Sequence, residues 1–150
     1  MSEETMQSYI TAIRRFNRYY TNLLGLLNRH RLESPYSLAE ARVLLEIGQR
    51  EDCTASYLKD FLKIDFGYLS RIIRKLLRDQ VICETKAPRD GRSRFLSLTA
   101  KGMEALDAIN RMSDQQVADM VGRFSEADLA VLVGHMQAIE SILQRKAGIQ

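Results

Sequence analysis

Apolar residues recur at three- and four-residue steps from Met6 through Tyr9, Ile10, Ile13, Phe16, Tyr20, Leu23 and Leu24 to Leu27, which predicts one long amphipathic helix. Ser34-Pro35 breaks it. Ser37, with Glu40 three positions on, has the pattern of a capping box and opens a second helix whose predicted inward face is Leu38, Ala41, Leu44, Leu45 and Ile47. Gly48 and the polar run Gln49 to Asp52 end that helix. Thr54 caps a short third helix with Tyr57, Leu58, Phe61 and Leu62 turned inward. After the tight Lys63-Ile64 connection, Asp65 caps a fourth helix that runs to about Asp79. Its core stripe is Leu69, Ile72, Ile73, Leu76 and Leu77, and the opposite face carries Gly67, Tyr68, Arg71, Arg74, Lys75 and Arg78.

The period then changes from helical to alternating. Ile82 to Lys86 and Phe95 to Leu98 read as two short strands, with Pro88 to Ser93 as the turn between them and Arg94 just behind it. Thr99 caps a fifth helix (Met103, Leu106, Ile109, Met112, continuing through Val117, Met120 and Val121). Gly122 and Phe124-Ser125 interrupt the pattern, and a last helix has Leu129, Leu132, Val133, Met136, Ile139, Ile142 and Leu143 on one face. No internal repeat or low-complexity tract is present. The fold class is therefore mainly α with a small β-hairpin.

At 150 residues the chain fits one domain. No run of apolar residues is long enough to span a membrane, and Met-Ser-Glu-Glu-Thr at the start is not a signal pattern, so a soluble, cytoplasmic protein is expected. Cys53 and Cys83 are too few for a disulfide framework and have no metal-ligand spacing; they read as ordinary small residues, with redox sensing as the rival. His30 and His135 lie far apart, with no Ser, Cys or carboxylate neighbour at catalytic spacing. Neither an enzyme nor a cofactor or metal site is expected. The net charge of +3 is unevenly spread: residues 53–101 hold 11 Lys/Arg against 5 Asp/Glu, and the remainder holds 11 against 14. A basic centre between neutral-to-acidic flanks suggests a polyanion partner.

The elements give that charge a form. A short helix joined tightly to a basic helix is a helix-turn-helix, and a hairpin tipped with Arg89, Asp90, Gly91 and Arg92 makes it a winged one. Arg71 and Arg74 suit base edges or phosphates in a major groove, and Arg92 suits an adjacent minor groove. Asp90, two residues before Arg92, can hold that guanidinium in one orientation and so lower the entropy lost on docking. Gly67 permits close backbone approach, Tyr68 and Ser70 offer hydrogen bonds, and N–H groups at the helix start favour a phosphate. Plainer readings stand beside these. The hairpin also reads as a solvated Asp-Gly turn, and Arg74, Lys75 and Arg78 as a solvated helix face. Ser70 and Tyr68 also read as packing residues.

The chain resembles the MarR family of winged helix-turn-helix regulators over essentially its whole length. The resemblance is carried by Gly67-Tyr68-Leu69-Ser70-Arg71 and by Asp90-Gly91-Arg92-Ser93-Arg94-Phe95-Leu96-Ser97-Leu98-Thr99. It implies a homodimer on double-stranded DNA, binding a pseudo-palindromic operator, most simply as a repressor. The winged lobe would cover about 36–99, and residues of about 1–33 and 100–150 would form helical dimerisation arms. It further implies that Arg92 is the minor-groove arginine, Asp90 its orienting partner and Arg94 a phosphate contact, with Tyr68, Ser70, Arg71 and Arg74 on the major-groove side. Arg89, at the same tip, joins the DNA-binding set. Small aromatic or lipophilic effectors are common in the family, and Tyr9, Arg14, Arg15, Phe16 and Tyr20 could line a cleft for one or serve as packing and surface. Long apolar helices at both ends support dimerisation independently. The opening of the recognition helix also resembles the subgroup fused to an acetyltransferase domain, which makes the DNA-binding half of such a fusion one alternative. A protein-interaction module without specific DNA binding is the other. Two positions depart from the family pattern: Gln80 where glycine is usual after the recognition helix, and Glu84 where a basic residue is common.

Overall fold

In a computed structural model, residues 2–28, 34–89 and 91–147 are described, so Asp90 and His30 lie outside the described residues. The described elements are α1 (Glu3–Asn28), α2 (Leu38–Gln49), α3 (Ala55–Leu62), α4 (Phe66–Arg78), β1 (Ile82–Lys86), β2 (Arg94–Leu98), α5 (Ala100–Val121) and α6 (Glu126–Ala147). The mainly helical class with one hairpin is as expected. The chain forms two compact units, Met1–Asn110 and Arg111–Gln150, divided within α5.

The helix starts are set by local chemistry. Ser37 accepts the Glu40 N–H at 3.2 Å while the Glu40 carboxylate accepts the Ser37 N–H at 2.9 Å, a complete capping box. Thr54 accepts the Tyr57 N–H at 3.1 Å, and Asp65 accepts the Tyr68 N–H at 3.0 Å. Ser125 does the same for α6, accepting from Asp128 N–H at 3.1 Å. Each cap satisfies one of the N–H groups a helix start leaves without an intrahelical partner.

Left-handed residues end α3 and α4. Lys63, at φ 53°, turns the chain out of α3 and allows the tight passage to Asp65. Gln80, at φ 60°, ends α4: its N–H donates to the Leu77 carbonyl at 3.0 Å, and Val81 N–H donates to the Leu76 carbonyl at 3.1 Å. This is a Schellman turn with glutamine where glycine is the usual occupant.

The winged lobe closes around one core. Val43 and Leu44 of α2, Leu58 of α3, Leu69 and Leu76 of α4, and Val81 are fully buried. Fully burying one such side chain contributes roughly 1.5–3 kcal/mol. Two expectations are corrected here. Leu38, placed on the inner face of α2, is 57% exposed because it sits at the first position of the helix, while Val43 takes the buried place. Phe61 is 52% exposed and stacks along α3 on half-buried Tyr57, with ring centroids 5.4 Å apart. α3 is only eight residues long, so one buried residue, Leu58, anchors it.

In the hairpin, Ile82 pairs with Leu98, Cys83 with Ser97, Glu84 with Leu96, Thr85 with Phe95 and Lys86 with Arg94. Arg94 therefore begins the second strand instead of trailing the turn. The Cys53 carbonyl accepts the Leu96 N–H at 2.7 Å, which seats the wing on the segment between α2 and α3. Cys53 is fully buried, and that burial pushes its thiol up from the ordinary value, with Arg50 pulling the other way.

α5 starts against the end of α4. The Thr99 hydroxyl donates to the Gln80 carbonyl at 2.7 Å and accepts the Gly102 N–H at 3.0 Å, and Lys101 donates to the Asp79 carbonyl at 2.8 Å. A Cβ built on Gly102 would lie 1.9 Å from the Val81 carbonyl oxygen, so only glycine fits there.

Candidate nucleic-acid interface

α4 buries Leu69, Ile72, Ile73 and Leu76, and the helical period then forces Gly67, Arg71, Arg74 and Arg78 to the far side. All three arginines are exposed. Arg74 sends its Nε toward the Ser70 carbonyl, 3.4 Å away and one turn back, which lays its side chain along the helix. Tyr68 and Lys75 sit on one flank of this face, and half-buried Ser70 on the other. Tyr68 is 42% exposed, and the Arg71 guanidinium lies 5.7 Å from its ring centroid, within cation–π range.

Two features of the helix start have local roles that the sequence reading did not include. A Cβ on Gly67 would come 3.1 Å from the Asp65 carboxylate, so the glycine makes room for the cap itself. The Tyr68 N–H, one of those expected to favour a phosphate, is already taken by that carboxylate.

The wing carries Arg89, Arg92 and Arg94, all exposed. The Ala87 N–H donates to the Ser93 carbonyl at 3.1 Å, closing the turn. The pairing of Asp90 with Arg92 falls outside the described residues. Glu84, which departs from the family pattern, is exposed on β1, and Cys83 beside it lies 3.3 Å from the Ser97 hydroxyl across the ladder. Of the residues suggested for an effector cleft, Tyr9 and Phe16 are exposed on α1, as are Arg14 and Arg15. Phe16 stacks on half-buried Tyr20 at 5.7 Å.

Lys75 is the basic residue whose placement the sequence could not foresee. Its ammonium donates to the Glu40 carboxylate at 2.7 Å and to the Pro35 carbonyl at 3.2 Å, and lies 5.3 Å from the Tyr36 ring centroid. Burial, and then the Asp79 carboxylate, push the Tyr36 phenol up from its ordinary value, with Lys75 acting in the opposite direction. The only signal available beforehand was the flanking position of Lys75 on the helix, which no neighbouring pattern interprets.

Among the described residues no group of three or more His, Cys, Asp or Glu could hold a metal ion, and no helix is long and apolar enough to cross a membrane.

Residues 36–93 match the model of the MarR family. No curated protein matches the chain. Several solved structures share the fold. A MarR family transcription regulator is 22% identical, with a TM-score of 0.76, covering 98% of this chain and 97% of its own. FabT of Streptococcus pneumoniae, crystallised in complex with DNA, is 22% identical with a TM-score of 0.70, covering 96% of this chain and 99% of its own. BpsR of Bordetella bronchiseptica, whose DNA binding is regulated by 6-hydroxynicotinic acid, is 16% identical with a TM-score of 0.68, covering 87% and 98%. None of these matches supports membership of the acetyltransferase-fused subgroup.

Proposed function

We propose that this chain, whose residues 36–93 match the model of the MarR family, is a winged helix-turn-helix regulator that binds a pseudo-palindromic operator as a homodimer and represses transcription from it. DNA binding is supported by the match of residues 36–93 to that family's model. The observation that carries the finer reading is the outward face of α4: its core stripe is fully committed to packing, so Arg71, Arg74 and Arg78 point away from it, and an arginine hairpin follows directly. α4 would enter the major groove with Arg71 and Arg74 at base edges or phosphates, Tyr68 and Ser70 beside them, and Gly67 at the point of closest approach. Arg92 would enter the neighbouring minor groove, oriented by Asp90, while Arg89 and Arg94 meet phosphates.

Dimerisation is supported by apolar surface that the single chain leaves uncovered. Met6, Tyr9, Ile13, Phe16 and Tyr19 on α1, and Val131, Ile139, Ile142 and Leu143 on α6, are all more than two-fifths exposed. Surface of that kind marks an interaction face, and a two-fold pairing of such arms would set two recognition helices about 34 Å apart, one turn of DNA. A small aromatic or lipophilic effector that weakens binding fits the same reading, with the regulation of BpsR by 6-hydroxynicotinic acid as the parallel.

The test is Arg92→Ala. Selection from random duplexes by the wild type supplies the operator, and fluorescence anisotropy measures affinity for it at moderate salt. The variant should lose about 1–3 kcal/mol for each copy bound, with sedimentation showing an unchanged dimer. Unaltered affinity would sink the wing assignment.

A further inference from the structure

Lys75 lies on the helix proposed to read DNA, but the structure gives its charge another partner. The Glu40 carboxylate is the partner acceptor of the α2 capping box, where it takes the Ser37 N–H at 2.9 Å, and the same Oε2 atom takes the Lys75 ammonium at 2.7 Å. The Pro35 carbonyl takes a second Lys75 proton at 3.2 Å, and the Tyr36 ring lies beside it. The Glu40 side chain is 14% exposed and that of Lys75 is 31%, so the pair is largely shielded from water. Lys59 and Asp60, adjacent on α3, form a far more exposed pair at 3.5 Å.

We infer that Lys75 is a positioning residue for DNA reading: it ties α4 to the cap of α2 and thereby sets the orientation in which Arg71 and Arg74 meet the bases. Arg71 and Lys75 are four residues apart, one helical turn, and Arg74 adjoins Lys75. A rotation of α4 about its axis moves all three together. Burial of the core stripe sets which face of α4 points outward, and a charged hydrogen bond to a fixed cap on a neighbouring helix restrains the small rotations and tilts that packing still allows. The inference rests on the proposed DNA-reading role of α4.

Charge counting and the clamp predict opposite signs for one substitution. If Lys75 and Glu40 act on DNA only through their charge, Lys75→Met weakens binding and Glu40→Gln, which removes a negative charge, strengthens it. If they act as a clamp, both weaken it. Glutamine can still serve the capping box, so Glu40→Gln leaves the start of α2 intact.

The experiment measures wild type, Lys75→Met, Lys75→Arg and Glu40→Gln on the selected duplex and on a scrambled duplex of the same composition, from 50 to 200 mM salt, below the unfolding temperature of each. Lys75→Met and Glu40→Gln should each bind the selected duplex about tenfold more weakly, the effect of one mismatched base pair in a site. Binding to the scrambled duplex and the salt slope should stay unchanged, and Lys75→Arg should retain most of the affinity. A merely structural role would lower the unfolding temperature without changing the ratio between the two duplexes, and would overturn the inference. So would a salt slope reduced by about 0.9 per copy in Lys75→Met, the mark of a phosphate contact, or tighter binding by Glu40→Gln. If Lys75→Met fails to fold, the sign seen with Glu40→Gln decides. A wild type that enriches no sequence would instead remove the DNA-reading proposal, and this inference with it.

Discussion

Gln80 occupies the left-handed position of the Schellman turn at φ 60°, and its backbone, not its side chain, makes the contacts that matter there. A side chain in that conformation costs on the order of 1 kcal/mol relative to glycine. Gln80→Gly should therefore raise stability by up to about 1 kcal/mol in urea unfolding, without altering the hydrogen bonds from Thr99 and Val81; a destabilised variant would mean that the glutamine side chain contributes more than its backbone costs. The departure from the family pattern was visible as a residue type. That the backbone is left-handed regardless follows from its surroundings, because Val81 must turn inward to be buried and Thr99 holds the Gln80 carbonyl in place. Gly67 teaches the converse. The residue was noticed for closeness to DNA, and the structure adds a local reason, the room it leaves for the Asp65 carboxylate, which a Cβ would approach to 3.1 Å.

At the scale of elements, the junction of α4 and α5 is tightly closed. The Thr99 hydroxyl bridges the end of one helix to the start of the other, and Gly102 lies flush against the Val81 carbonyl. Gly102→Ala should cost about 1–3 kcal/mol, the usual penalty for overpacking a rigid contact, read as a lower midpoint in urea; the same substitution at exposed Gly134 of α6, where a Cβ meets nothing within 4 Å, should not destabilise. An unchanged midpoint for Gly102→Ala would mean that α5 can shift away from Val81. The caps at Ser37, Thr54, Asp65 and Thr99 were all legible in the sequence because each is a bond between residues three positions apart. Gly102 was not, because its reason is a backbone atom 21 positions earlier.

At the scale of the whole molecule, the uncovered apolar faces of α1 and α6 are the largest consequence of the fold. Every helix of the winged lobe finds a core to pack on, whereas the long terminal helices expose aromatic and aliphatic side chains along their length. On the proposed dimer, a charge placed among them should separate the protomers. Ile142→Asp, at a residue that is 52% exposed in the single chain, should shift sedimentation toward monomer and lower affinity for the selected duplex, since each half-site must then be bound alone. A variant that stays dimeric with full affinity would place the interface elsewhere.

Helix periods, caps and the hairpin are determined by residues a few positions apart, and for that reason the order of elements, the outward arginines of α4 and the presence of a two-stranded wing could be read from the chain unaided. Which flank of α4 meets which neighbour is decided by packing between distant segments. Lys75 shows the difference: in sequence it belongs to a basic stripe with Arg71, Arg74 and Arg78, and in the folded protein it belongs to the cap of α2, 35 residues away. Periodicity assigns a residue to a side of its own helix. Only the tertiary structure brings a carboxylate to meet it there, and so separates the cations left facing outward from the one that holds their helix in place.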